Sequence, residues 1–321
     1  MSYPAISVII PVKNEVFKIR ACIDGILSQT VPVTEILVID SGSTDGTLDI
    51  LKEYAVVKVI EIPSSSFNHG TTRNLGIDHA TGEFVLFTVG DARAATDTWI
   101  EELLKGFTDD EVAGVCGQQI VPHDTDKNPV EWFRPVSSPE MKRYQFKEPG
   151  SFEALSAEEK KRICGWDDVT AMYRLSVMKQ IPFQKITYGE DPIWAKDALL
   201  NGYAIVYNHH ARVYHYHLED AAVTFKKSLT TMYFRYRQFG YLPAEPVMSF
   251  RSKLSIIKIL FSSFGLQIQQ IAKWYRYNIS NFKAGRRAYL LFMQALEKND
   301  AELDALHAAH CGQPPVPLKV K

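Results

Sequence analysis

Four short stretches carry residue types able to do chemistry. In FVLFTVGDAR, the β-preferring residues 84–88 run into Gly90 and Asp91. A carboxylate closing a buried strand stands at the carboxyl edge of a sheet, where α/β folds place ligands. Two readings of Asp91 are open: a metal or phosphate-site ligand, and a cap on the helix that follows near 97–107. Asp40 closes another apolar run, 36–39, and opens the turn DSGSTDG. YNHHARVYHYH holds His209, His210, His215 and His217, four histidines in nine residues. His215 and His217 are two apart on an extended segment and share one face. An imidazole there is either a metal ligand beside a carboxylate or an ordinary solvated or core histidine. GEDPIW carries two adjacent carboxylates, Glu190 and Asp191. Asp191 before Pro192 reads as a helix N-cap.

The surrounding pattern says how such residues are positioned. Residues 6–10 form an apolar run closed by Pro11 and the loop PVKNE. Helical spacing follows over 16–29 (Phe17, Ile19, Cys22, Ile23, Ile26, Leu27), then strand 36–39, helix 47–54, strand 56–62, helix 71–80 and strand 84–88. This alternation predicts an α/β domain with a mostly parallel sheet and helices on both faces. After helix 97–107 come strand 112–121, a polar irregular stretch over 122–165, a strand-like 165–174, a helix from Asp191 to Gly202, and closing strands over 203–217. The first turn has neither the Gly-rich dinucleotide fingerprint nor a Walker A loop, which argues against dehydrogenases and phosphate-loop NTPases.

Composition narrows the classes further. The 321 residues are 46% hydrophobic and 23% charged, ordinary values for a globular protein. The net charge of −1 gives no nucleic-acid signal. The charge is uneven: residues 1–220 hold 21 Lys and Arg against 32 Asp and Glu, and residues 221–321 hold 15 against 5. We therefore divide the chain into a domain over 1–220 and a basic, mainly helical region over 221–321 that meets something anionic. In that region Leu254, Ile257, Leu260, Phe261 and Phe264 mark one helical face. A basic amphipathic helix on an anionic inner membrane, with Trp274 and Tyr275 at headgroup level, is one reading; helices that make a homo-oligomer are the other. The cysteines Cys22, Cys116, Cys164 and Cys311 lack any C-x-x-C spacing, so reduced thiols in a cytoplasmic setting are expected. We expect no signal peptide and no membrane span.

SVIIPVKNE, EILVIDSGSTDGT, FNHGTTRNLGIDHATGEFVLF, GDA and GED, in that order, resemble glycosyltransferase family 2, the inverting sugar-nucleotide transferases of GT-A fold. The resemblance covers about residues 5–217. FNHGTTRN is similar to bacterial rhamnosyltransferases of O-antigen and related polysaccharides. The resemblance implies a base- and ribose-facing loop with Pro11, Asn14 and Glu15, a base acceptor at Asp40 beside Ser41, and Arg73 and Asn74 near the nucleotide diphosphate. It implies Asp91 as the last carboxylate of a D-x-D metal motif, whose first position is Val89 here. It implies Asp191 as catalytic base in preference to Glu190, and His215 or His217 as a metal ligand, with His217 favoured.

The implied cofactor is a divalent cation, Mg²⁺ or Mn²⁺, which neutralises charge building on a diphosphate leaving group. Trp166, Asp167 and Asp168 are candidate acceptor contacts; a packed aromatic and a capping pair is the alternative. The implied donor is a nucleoside-diphosphate sugar, dTDP-rhamnose first and a UDP-sugar next. The acceptor is a glycan, carried on a polyprenyl lipid at the inner face of the cell membrane. The rivals are a UDP-hexose transferase of the same fold and a non-catalytic nucleotide-sugar-binding protein.

Overall fold

One nine-stranded sheet carries the first part of the chain. Its strands are β1 (Ile6–Val12), β2 (Glu35–Asp40), β3 (Val57–Glu61), β4 (Phe84–Phe87), β5 (Arg93–Ala94), β6 (Val112–Ile120), β7 (Lys142–Tyr144), β8 (Ala171–Arg174) and β9 (Ala204–Tyr214). The order is β3-β2-β1-β4-β8-β6-β9-β5, with β7 pairing β9. The computed structural model describes residues 3–124, 126–132, 140–263 and 265–312. Phe264, assigned above to an apolar helical face, lies outside them.

The α/β fold is as expected, and within its sheet parallel and antiparallel pairings are mixed. The β3-β2-β1-β4 half is parallel, as the intervening helices require. β8 then runs antiparallel to both β4 and β6, while β9 runs parallel to β6. This reversal decides which residues meet. Phe87 at the end of β4 faces Ala171 at the start of β8, so the turn before β8 lies where β4 ends. Cys116 also faces Ala171, and Ile120 faces Tyr214. The ends of β1, β2, β4, β6 and β9 and the start of β8 therefore share one sheet edge.

β1 and β2 are almost wholly buried, in keeping with their unbroken apolar runs. The first helix, Ile19–Leu27, buries Ile19, Cys22, Ile23 and Ile26 on one face. Phe17, expected on that face, precedes the helix and is exposed. The helix expected over 71–80 spans His69–His79, and Asn68 caps it by accepting from Thr71 N at 3.1 Å. The helix near 97–107 spans Trp99–Lys105 with Thr98 at its N-cap, so Asp91 is not its cap. All four cysteines are buried and unpaired with one another.

The chain divides into two units: Met1–Ile120 with Val136–His215, and Val121–Pro135 with Tyr216–Lys321. The sequence reading puts the boundary at 220 and leaves 121–135 in the first domain; here that segment groups with the helices. In the second unit, helices Ala221–Phe239, Ile268–Lys298 and Asp300–His310 bury Leu229, Ala288, Phe292 and Leu303. Trp274 is fully buried, so it cannot sit at a lipid headgroup. Among the described residues no helix is long and apolar enough to cross a membrane.

β6 has a register irregularity between Cys116 and Gln118. A Cβ on Gly117 would lie 2.2 Å from Ala211 O and 2.5 Å from Thr170 Oγ1. Gly117→Ala is expected to lower stability by about 1–3 kcal/mol through overpacking, measured by denaturant unfolding.

Candidate active site

Two loops at the shared edge hold each other in place. Asn14 takes a left-handed backbone, φ 57°, in the turn after β1. Its N–H donates to Ser43 Oγ at 2.8 Å, and its Oδ1 accepts from Thr44 N at 2.8 Å. Glu15 N donates to Thr47 Oγ1 at 2.8 Å, and Val16 N to Asp45 Oδ2 at 3.1 Å. Pro11 lies in β1, whose register sets Val12 opposite Asp40. Asp40 is fully buried. Its Oδ2 accepts from Gly42 N and Ser43 N, both at 2.9 Å, while Oδ1 has no hydrogen-bond partner among the described residues. A buried acceptor left open is costly unless something donates to it. Ser41 is structural: its N and Oγ donate to Val12 O at 3.0 and 3.2 Å, tying β2 to β1.

Asp91 lies four residues past β4, beside the same loops. A Cβ on Gly90 would stand 3.0 Å from Glu15 Cγ. Asp91 Oδ1 is 3.4 Å from His215 Nε2, and Oδ2 is 3.3 Å from Lys18 Nζ. His217 follows two residues on along the segment that leaves β9. Ligand atoms of Asp91, His215 and His217 all lie within 4.8 Å of one another. One carboxylate and two imidazoles make a set that could hold a divalent cation. Gln119 orients the site. Its Nε2 donates to Asp167, an acceptor only, so its Oε1 faces His215 Nδ1 at 2.6 Å. His215 then carries a proton on Nδ1, which leaves Nε2, on the Asp91 side, as the nitrogen that could hold a metal.

Beside this lies a buried cluster of charge. Arg73 Nε is 3.1 Å from Asp168 Oδ2, Nη1 is 2.7 Å from Glu190 Oε1, and Nη1 also donates to His69 O at 3.1 Å. Arg73, Asp168 and Glu190 are all buried. Tyr173 Oη donates to Asp168 and accepts from Trp166 Nε1 at 2.6 Å. Asp191 joins through Oδ2, which accepts from Asp168 N at 3.4 Å, and keeps a partly exposed edge. Lost solvation, then the negative charges of Glu190, Asp168 and Asp167, push the Asp191 carboxyl well above the usual carboxylate range, against the pull of Arg73. Burial pushes Asp168 up as well, opposed mainly by Arg73.

Several expected roles change in place. Asp191 does not cap its helix: the helix is Glu190–Leu200, and its N-cap is Gly189 in the left-handed region at φ 77°. Glu190 is engaged by Arg73, which leaves Asp191 as the carboxylate with solvent access. Arg73 neutralises carboxylates instead of offering its charge to a diphosphate. Both ends of the Asn74 amide are used by Phe183, Nδ2 donating to its O at 2.8 Å and Oδ1 accepting from its N at 3.0 Å. Trp166 is a core residue packed on Tyr173, Trp194 and Tyr207, not a platform for a sugar. Asp167 caps the turn before β8, accepting from Val169 N at 3.0 Å. Asp168 is sealed in the ion cluster. Lys18, Gln119 and Tyr173 were missed. Nothing local in the sequence points to any of the three.

Arg73→Met would leave Asp168 and Glu190 buried without their cation. We expect a loss of about 3–5 kcal/mol at neutral pH. The loss should shrink in acid, where the carboxyls are protonated in the folded state too; unfolding at two pH values checks it.

The chain is 28% identical over 263 residues to the O-antigen chain rhamnosyltransferase RfbN of Salmonella typhimurium, covering 78% of this chain and 81% of that protein. It is 40% identical over 99 residues to the O-antigen chain rhamnosyltransferase WbaN of Salmonella anatum, covering 30% and 31%. In fold it is similar to the mannosyltransferase PcManGT of Pyrobaculum calidifontis, solved with GDP-Man and Mn²⁺, with TM-score 0.55 at 18% identity over 96% of this chain and 80% of that one. It is also similar to TarS 1-349 of S. aureus with UDP-GlcNAc, with TM-score 0.51 at 18% identity over 90% and 92%. Residues 7–181 match the family model described as Glycosyl transferase family 2. That match spans more than half the sequence and takes in the two-loop platform, Asp91 and Asp168: the chain belongs to glycosyltransferase family 2 and is a glycosyltransferase.

Proposed function

We propose that this enzyme is inverting and metal-dependent. It moves a sugar, rhamnose before any other, from a nucleoside diphosphate to a hydroxyl of a bacterial glycan held on a polyprenyl carrier. It works peripherally at the inner face of the cell membrane. The observation that carries the reading is one sheet edge with two kinds of group: ligand atoms of Asp91, His215 and His217 within 4.8 Å of one another, and the partly exposed Asp191, whose carboxyl is pushed up by burial and by the carboxylates beside it. The rhamnosyltransferase relative supports the sugar, and the neighbour solved with Mn²⁺ supports the cation. A UDP-hexose donor is the second reading, because a neighbour binds UDP-GlcNAc. A high-pKa carboxyl weighs against a protein that only binds its nucleotide sugar.

In this mechanism the loops of Asn14 and Asp40 receive the nucleoside, with Asp40 Oδ1 as the open acceptor. Asp91, His215 and His217 would hold the divalent cation, which supplies a Lewis acid to the departing diphosphate. Asp191 takes the proton of the acceptor hydroxyl as that oxygen attacks the anomeric carbon from the side opposite the leaving group. The excess of carboxylates over cations around Asp191 makes it a stronger base than an isolated aspartate. Asp168 and Arg73 touch no substrate in this account; they set the charge that Asp191 feels.

Asp191→Asn should lower kcat by about 10²–10⁴-fold while nucleotide binding persists. In the wild type, kcat/KM should rise with pH as Asp191 ionises, its acidic limb displaced upward from the usual value of about 4. A limb at the usual value, or an active Asp191→Asn enzyme, would sink the assignment. Chelation should abolish turnover and Mn²⁺ restore it. Gln119→Ala frees the His215 tautomer, so Mn²⁺ affinity, read by electron paramagnetic resonance, should weaken about 10–100-fold. Thermal shift with dTDP, UDP, GDP and CMP in the presence of Mn²⁺ identifies the donor base; a dTDP preference is expected.

A further inference from the structure

The helix Phe250–Ser262 belongs to the second unit and has two apolar faces. Leu260 is buried and anchors one of them. The other is the row Phe250, Leu254, Ile257 and Phe261, spaced i, i+4, i+7, i+11 and hence one stripe. Phe250 is 74% exposed, Leu254 47% and Phe261 67%, with Ile257 half-buried between them. Just before the helix, Val247 is 75% exposed. Large apolar residues in a continuous exposed row mark an interaction surface.

Charge says what covers it. On the helical wheel Lys253 flanks the stripe on one side, and Arg251 and Lys258 flank it on the other. The helix has no acidic residue. Residues 246–296 hold eight Lys and Arg and no Asp or Glu. We propose that this helix docks on an anionic lipid surface, lying flat with Phe250, Leu254, Ile257 and Phe261 in the boundary between headgroups and acyl chains and its three cations among the headgroups. At 13 residues it is about 20 Å long, short of a bilayer core, so it lies on the membrane. A second copy of the chain is a poorer occupant. Pairing this face with itself would bring Arg251, Lys253 and Lys258 against their own copies with no carboxylate on the helix to offset them. The inference deepens the proposed lipid-linked acceptor by naming the surface on which it is met, but it stands on the helical unit's own residues.

The test is flotation of the full-length protein with phosphatidylcholine vesicles, with and without phosphatidylglycerol. Binding is expected only to the anionic vesicles, and it should weaken as salt is raised. Phe250→Ser with Phe261→Ser, and separately Lys253→Glu with Lys258→Glu, should each cut partitioning by about tenfold or more. Both pairs are solvent-facing, so the unfolding temperature and the nucleotide thermal shift should be unchanged. Those two controls separate failure of this proposal from failure of the sugar-transfer reading. Equal binding to neutral vesicles, no vesicle binding, or wild-type partitioning by both double variants would overturn the proposal. So would a wild-type dimer in sedimentation that Phe250→Ser with Phe261→Ser converts to a monomer without any vesicle binding.

Discussion

A single buried guanidinium faces more carboxylates than it can neutralise. Arg73 contacts Asp168 and Glu190, and Asp191 and Asp167 lie close enough to add their charge. In a low-dielectric surrounding such an imbalance cannot persist with every carboxyl ionised. Protons are therefore held more tightly there than on an isolated aspartate, most of all at Asp191. The cluster also ties separate parts of the chain together. Arg73 comes from the helix after β3, Asp168 from the turn before β8, and Glu190 from the first turn of a later helix. A stable cluster means that all three elements are seated, so the fold and the basicity of Asp191 depend on the same contacts.

Gln119 links this cluster to the metal-ligand set. Asp167 fixes which way the Gln119 amide points, and the amide fixes which nitrogen of His215 carries the proton. Asp167 and Asp168 are adjacent, one serving His215 through Gln119 and the other facing Arg73. The carboxylate that would receive a proton and the imidazole that would hold a cation are thus positioned from one short turn. Opposite them, the Asn14 and Asp40 loops are locked to each other by backbone and side-chain hydrogen bonds before any ligand arrives. Preformed hydrogen bonds of this kind reduce the ordering cost of binding.

The second unit follows different physics. Helices Ala221–Phe239, Ile268–Lys298 and Asp300–His310 bury a small apolar core, and Trp274 is buried as well. The helix Phe250–Ser262 carries apolar side chains on more surface than its neighbours cover. An excess of cations along this stretch keeps that surface from pairing with a like copy while suiting an anionic one.

Local residue patterns suffice for the strand and helix alternation, the placement of Asp40 and Asp91 at or just past strand ends, and the common face of His215 and His217. These follow from local rules: apolar runs, turn residues and the two-residue period of an extended chain. The sequence also pointed to family 2 through ordered motifs. Only the tertiary structure decided the rest, because the deciding contacts join residues far apart along the chain. The antiparallel entry of β8 brings Asp167 and Asp168 to the edge where β4 ends, and no local pattern encodes strand direction. The partners of Arg73 lie 95 and 117 positions away in sequence, so its burial among carboxylates could not be read from a helical window. Asp191 before Pro192 looks like a helix cap until Gly189 is seen to take that position with a backbone only glycine adopts easily. Whether a charged side chain meets solvent, a ligand or an opposite charge depends on long-range packing, and that is settled in three dimensions.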